Sequence, residues 1–262
     1  MVKLLVTGAA GFIGSNMVKY LLNETSSEVI GVDNFDNGIN NKIFIEKLER
    51  KNSRFSFLNQ NFVESDLKDI DVVFHFAATP RVTYSIEQPF ITNQNNVTNT
   101  LLLLDNCVKS KVKRFVFSSS SSVYGDVENF PTTEDEATSP KSPYALQKLV
   151  IEEYCKLYSE LYNLDTVSLR YFNVYGPNQH ADNAYATVIC AWIKGYIKDK
   201  PIRLDGTGEQ SRDFSYVDDV CQANYVAGIN EKNFNGEIFN VAQNDNTNLN
   251  QIMEMIKNLS NN

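Results

Sequence analysis

The stretch that most limits what this chain can become is Val2–Leu22, VKLLVTGAAGFIGSNMVKYLL. A short apolar, partly β-branched run is followed by Gly8, Gly11 and Gly14, then by apolar residues at helical spacing, Val18, Leu21 and Leu22. This order predicts a strand over Val2–Val6, a tight glycine turn and a helix beginning near Phe12. A strand reversing sharply into a helix needs residues without a side-chain penalty at unusual backbone angles, and a helix lying close to its strand needs a slim face. Gly8, Gly11 and Gly14 suit those positions in turn. The bare backbone between them leaves room for a pyrophosphate at the positive end of the helix dipole.

A glycine triplet alone is weak evidence, because purely structural turns use glycine too. Here a second strand, Val29–Val32, ends in Asp33, about 20 residues beyond the glycines. An acidic side chain at that point can accept both ribose hydroxyls of NAD and repel the extra phosphate of NADP.

Downstream, a helix is expected over Lys42–Arg50, strands over Phe55–Leu58 and Val72–Phe76, a long helix over Pro89–Val108 and a strand over Arg114–Ser118. Strands alternating with helices predict an α/β fold, a doubly wound parallel sheet of the Rossmann kind, with ligands at the carboxyl ends of the strands. Gly8, Asp33, His75–Ala78 and Ser118–Ser122 all fall there. From Asn173 the pattern is less regular: a helix near Tyr185–Lys198, a polar GTGEQ loop, a helix from Val217, a strand over Ile238–Val241 and a last helix after Asn248. The expected division is a dinucleotide-binding domain over 1–172 and a smaller substrate-side region over 173–262, with elements returning to the main sheet.

The 262 residues suffice for a large core, and 42% hydrophobic with 21% charged residues is ordinary for a folded protein. A net charge of −8 argues against a nucleic-acid or anionic-membrane surface, which leaves a small molecule as the expected partner. Cys107, Cys155, Cys190 and Cys221 show no CxxC spacing and read as free thiols, mostly buried. Met1 leads straight into the first strand without a leader or a bilayer-length apolar run, so a cytoplasmic location is expected.

The reactive stretch is Ser142-Pro143-Tyr144-Ala145-Leu146-Gln147-Lys148. Ser142 can cap a helix and Pro143 suits its first turn, which puts Tyr144 and Lys148 one turn apart on the same face. A phenol is a poor base at neutral pH, and lowering its pKa by about three units takes about 4 kcal/mol. A nearby ammonium and a cationic nicotinamide ring would both favour the phenolate. Upstream, a hydroxyl in Ser118–Ser122 can hold a substrate alcohol toward Tyr144; Ser120 is favoured, with Ser121 its rival.

In order and spacing, GAAGFIG, Asp33, HFAA, SSSSSVYG, YALQK, RYFNVYGP and GEQSRDF resemble the extended short-chain dehydrogenase/reductase family, specifically its NAD-dependent nucleotide-sugar epimerases. The match covers nearly the whole chain. The resemblance implies NAD against Gly8, Gly11, Phe12, Ile13, Gly14, Asp33 and Asn34, against Asn61, Phe62, Phe76, Ala77, Ala78 and Asn96, and against Ser118, Tyr144, Lys148 and Tyr171. It makes Tyr144 the base, Lys148 the residue orienting the nicotinamide ribose and Ser120 the assisting hydroxyl. It places a UDP-sugar near Thr83, Ser120, Ser121, Tyr144, Asn173, Tyr185 and Arg212, whose planar guanidinium suits a diphosphate. A homodimer through the long helices is also implied.

Relatives that dehydrate the sugar carry Asp then Glu directly after the catalytic hydroxyl, and those that decarboxylate carry a Glu; this chain has Ser121 and Ser122. Reversible oxidation at C4 is the chemistry left, acting on UDP-N-acetylglucosamine, UDP-glucose or UDP-glucuronate. Two departures bear on this. Asn61 stands where the family has an aspartate at the adenine, which implies weaker binding. The chain also stops at Asn262, where relatives continue with segments that close the sugar pocket, implying either a fragment or an open pocket. The rival readings are a reductase of a 4-keto nucleotide sugar using free cofactor, and a non-catalytic NAD-binding homologue. Intact Tyr144, Lys148, Asn173 and Arg212 count against the latter.

Overall fold

Along β1 (Lys3–Thr7) the side chains alternate, Leu4 and Val6 to one face and Leu5 and Thr7 to the other, and all four are buried. A strand buried on both faces belongs in the middle of a parallel sheet covered by helices. The computed structural model, which describes residues 1–36, 40–127, 130–180, 187–204 and 206–259, places β1 there. The chain continues through α1 (Phe12–Glu24), β2 (Glu28–Asp33), α2 (Lys42–Lys51), β3 (Phe55–Asn59) and β4 (Val72–His75). Next come α3 (Val82–Glu87), α4 (Pro89–Asn93), a π-helical turn over Gln94–Thr98, α5 (Asn99–Ser110), β5 (Arg114–Ser120), α6 (Pro143–Tyr162) and β6 (Asp165–Tyr171). The last part holds β7 (Asn173–Tyr175), α7 (Val188–Ile197), β8 (Ser211–Arg212), β9 (Phe214–Tyr216), α8 (Val217–Ile229), β10 (Glu237–Val241), β11 (Thr247–Asn248) and α9 (Leu249–Leu259).

The main sheet runs β3-β2-β1-β4-β5-β6-β10 with every neighbouring pair parallel. The order reverses between β1 and β4, the point at which such sheets open a crevice. One face packs on α1 and α8 through Leu4, Val6, Met17, Leu21, Val220 and Cys221. The other packs on α5 and α6 through Leu5, Val73, Leu103, Phe115, Ile151 and Cys155. A small third cluster joins Trp192 of α7 to Ile252 and Ile256 of α9.

The expected substrate-side region contributes to the main sheet: β10 pairs with β6, and Tyr225 of α8 lies 5.9 Å from Tyr20 of α1. Buried Arg114 pairs with Asp165 at 2.6 Å and donates to the carbonyls of Ala227, Asn230 and Lys232, fastening the end of α8 to the sheet. The helix expected over Pro89–Val108 is interrupted by the π turn, and α3 was not foreseen. Cys107, Cys155 and Cys221 are buried free thiols, and Cys190 is half-buried. Among the described residues no helix is long and apolar enough to cross a membrane.

Candidate active site

The glycine turn is built as its spacing demands. Gly8 has φ +66°, and a Cβ there would lie 2.7 Å from Ala77 N; a Cβ on Gly14 would lie 2.1 Å from Gly8 O. Gly11 is the N-cap of α1 and offers no side chain to its first-turn amides. At the end of β2, Asp33 accepts from Ala10 N at 3.1 Å and from Phe35 N at 2.8 Å. Burial raises its carboxyl pKa, and those two backbone donors oppose the shift.

These groups open on a cavity of about 640 Å³ at the carboxyl ends of β1 and β4. Gly8, Gly11, Phe12, Ile13, Gly14, Asp33 and Asn34 line one side, and Asn61, Phe62, Phe76, Ala77 and Ala78 another. Asn61 also accepts from Val63 N at 3.2 Å, capping a short 3-10 turn. Behind the wall, His75 is held between the hydroxyls of Thr7 at 2.7 Å and Thr100 at 2.9 Å, and burial pushes its pKa down to about 3. It is therefore neutral, and Thr7 is free to accept from Ala77 N at 3.2 Å.

The reactive end is formed by β5 and α6. Ser142 accepts from Ala145 N at 3.2 Å and Pro143 stands in the first turn, so α6 starts where the sequence indicates. Tyr144, Lys148, Ser118 and Tyr171 line the same cavity, as does exposed Thr83. Of the two hydroxyls left open, Ser120 is the one that acts on the Tyr144 phenol, favouring its anion, while its Oγ accepts from Ser122 N at 3.2 Å. Lys148 is buried; its Nζ donates to Ser118 O at 2.7 Å and lies 5.8 Å from the Tyr144 ring centroid. The Tyr171 hydroxyl joins Ser118 Oγ at 3.1 Å and Asn224 at 2.9 Å.

The protein's own side chains do not soften the phenol. In the protein alone, burial pushes the Tyr144 phenol up to about 12 against the opposing Ser120 hydrogen bond. The Lys148 ammonium faces the Ser118 carbonyl, and burial brings its own pKa down to about 8. Desolvation outweighs the Ser120 hydroxyl at Tyr144 and the Glu152 carboxylate at Lys148.

Behind them lies a charge pair that sequence reasoning missed. Glu152, one turn beyond Lys148, binds Arg170 of β6 at 2.7 and 2.9 Å and accepts from the Ser119 hydroxyl. Its signal was available in the sequence as an acid four residues after Lys148 and an arginine in a central strand.

The structure corrects the expectation for Asn96. Only 4% exposed, it does not reach the cavity; its amide binds Thr79 N at 2.7 Å, Thr79 O at 3.2 Å and Gln147 at 2.8 Å. Asn95, inside the π turn, and Asn99, the first residue after it, line the cavity instead. Asn173 and Arg212 stand outside the cavity lining. Both are exposed, and Asn173 Nδ2 donates at 2.9 Å to the carbonyl of Asp213, the residue after Arg212. Ser120 and Ser121 are outside the lining too, Ser120 one residue beyond Ser119, which lines it, and Tyr185 lies beyond the described residues. Gln179 and His180, which sequence reasoning passed over, line the cavity near the glycine turn.

Sheet order, glycine crossover and a tyrosine–lysine pair on one helix define a dinucleotide-dependent enzyme of the short-chain dehydrogenase/reductase type. The chain belongs to the NAD dependent epimerase/dehydratase family, whose model matches residues 4–242. It is 39% identical over 261 residues to a putative UDP-glucose 4-epimerase of Methanocaldococcus jannaschii, covering 97% of this chain and 81% of that one. A UDP-N-acetylglucosamine 4-epimerase from Methanobrevibacter ruminantium, solved with UDP-N-acetylmuramic acid, superimposes with TM-score 0.90 at 36% identity, over 100% of this chain and 83% of that one. UDP-glucuronic acid 4-epimerase from Bacillus cereus, solved with UDP-glucuronic acid and NAD, gives TM-score 0.90 at 35% identity, over 100% and 84%.

The residues present fit NAD. The bare Gly11 cap turns free amides toward a pyrophosphate, and Asp33 keeps its carboxylate at the end of β2 for a ribose. Phe62 and Phe76 supply apolar wall.

Proposed function

We propose that the chain inverts C4 of a UDP-sugar. The observation that carries this reading is Tyr144 and Lys148 lining one cavity from successive turns of α6, with Ser120 placed to favour the phenolate and serine rather than an acid at 121 and 122. When bound, NAD supplies what side chains lack, a reversible acceptor for the C4 hydride and a positive charge beside the phenol. Tyr144 Oη takes the proton from the sugar O4 and returns it once the 4-keto sugar has turned its other face. Ser120 holds that oxygen toward Tyr144, and buried Lys148, anchored on Ser118, fixes the ribose side of the site. Without an acid beside Ser120, elimination of water from the sugar has no proton donor.

Incubation with UDP-N-acetylglucosamine, UDP-glucose and UDP-glucuronate, followed by NMR of the products, tests this. Appearance of the C4 epimer of one of them is expected; no inversion of any, with NAD bound, would leave a non-catalytic homologue. An empty protein that takes NADPH and reduces a 4-keto sugar would make it a reductase.

Arg212 is assigned to the diphosphate, as its exposed guanidinium lies beside Asn173 through Asp213. Arg212→Ala should raise KM for the UDP-sugar about tenfold with little change in kcat, the loss of one charge-assisted hydrogen bond. Steady-state kinetics at saturating NAD checks it.

Phe90, Leu102, Leu146, Leu157 and Leu161 are exposed along α4, α5 and α6, Phe90 by 81% and Leu161 by 65%. Such a face fits a second copy of the chain. Sedimentation at micromolar concentration is expected to give twice the monomer mass, and a monomer would remove this assignment.

A further inference from the structure

Three asparagines and a histidine tie the glycine turn to a segment from the far half of the chain. After β7, Gly176 has φ +151°, where a Cβ would lie 2.5 Å from Val217 Cγ1, so the backbone passes tightly by the start of α8 toward α1. There Pro177 O accepts from Asn16 Nδ2 at 2.9 Å, and the same amide donates to Phe12 O at 2.9 Å. Asn178 Nδ2 returns a bond to Asn16 Oδ1 at 3.4 Å.

Asn41, the N-cap of α2, works from the other side. Its backbone N donates to Ala10 O at 2.7 Å, and its Nδ2 reaches Asn178 O at 3.1 Å and Gly11 O at 3.4 Å. Carbonyl oxygens only accept, so that nitrogen is fixed and Oδ1 faces His180 Nε2 at 3.0 Å. The histidine is thereby the donor. Gln179 is fixed in its turn: its side-chain Nε2 donates to Val174 O at 3.1 Å, and its backbone carbonyl accepts from Cys190 Sγ at 3.1 Å.

Gly11 and Phe12 on one bank and Gln179 and His180 on the other line one cavity. The bonds through Asn16 and Asn41 cross from bank to bank. Packing alone gives no reason for a polar residue at position 16, 3% exposed inside α1, where an apolar side chain would satisfy the core. We infer that Asn16, Asn41 and His180 form a polar seam that retains NAD, so that the nucleotide leaves past the glycine turn only when segment 176–180 lifts. This rests on the reading that the cavity takes NAD, and it makes retention a property of the substrate-side segment as well as of the glycine turn.

The test is the rate at which bound NAD exchanges with excess NADH, followed by NADH fluorescence on the loaded protein, together with the thermal midpoint of the nucleotide-free protein. His180→Ala is expected to speed exchange about fivefold, as befits one hydrogen bond of ordinary net strength, and Asn41→Ala about tenfold or more. The midpoint of His180→Ala should stay at the parent value. His180→Gln, whose amide places a donor where Nε2 stands, should return exchange to within about twofold of the parent. Exchange unchanged in both alanine variants overturns the seam, as does a glutamine variant no slower than His180→Ala. A parent protein that takes up no NAD overturns the cofactor reading and the seam with it.

Discussion

Tyr144→Phe is expected to lower the rate of C4 inversion about a thousandfold, within the range that a positioned proton-transfer group contributes. The ring stays, so packing is kept; only the hydroxyl that Ser120 acts on is removed. The variant should still carry NAD, read from the nucleotide released on denaturation, and NMR should show the epimer accumulating at the reduced rate. A rate within tenfold of the parent would remove Tyr144 from the chemistry. Ionisation gives a second reading: burial holds the phenol at about 12 in the protein alone, so it is protonated at neutral pH. Its ultraviolet ionisation step should lie above pH 10 without NAD, move down on adding NAD, and be missing in Tyr144→Phe.

Glu152→Ala should destabilise the fold by about 3–5 kcal/mol, the usual consequence of leaving one partner of a buried ion pair alone. The Arg170 side chain is 4% exposed and that of Glu152 is fully buried. Among the described residues, Arg170 Nη1 already has no hydrogen-bond partner, so losing Glu152 removes the bonds at Nε and Nη2 and leaves the guanidinium facing the Tyr124 ring at 4.6 Å without a carboxylate. Urea unfolding measures the loss, and a shift under about 1 kcal/mol would contradict it. Because Glu152 also holds Ser119, between Lys148's anchor Ser118 and the Tyr144 partner Ser120, activity should fall even where the variant remains folded. Joint replacement of Glu152 and Arg170 by Leu and Met should recover much of the stability without the activity.

How much of this was legible in the sequence depends on how locally each feature is determined. The strand–glycine–helix unit and the Ser142 cap of α6 were readable because their causes lie within a few residues: a forbidden Cβ at Gly14, a capping hydroxyl, a proline at the first turn. The short strands β7, β8, β9 and β11 were not, since two or three residues become strand only through partners distant in sequence, as Asn173 does opposite Phe214. That Lys148 follows Tyr144 by one turn of α6 was legible, but its electrostatics depend on burial that no spacing reveals. Asp33 and the cavity wall were found through spacing and motif, whereas His180 and Asn41, 139 positions apart, meet only once the chain is folded.

The π turn at Gln94–Thr98 has a consequence for how this helix can vary. A π turn closes with i→i+5 bonds and so holds one residue more than an α-helical turn, which means that excising one position there would leave a regular helix with its flanks close to where they stand. Asn99 would still face the cavity, and Thr100 would keep its alignment with His75. The tolerance is local: a deletion inside regular α5 would swing everything beyond it by about 100°.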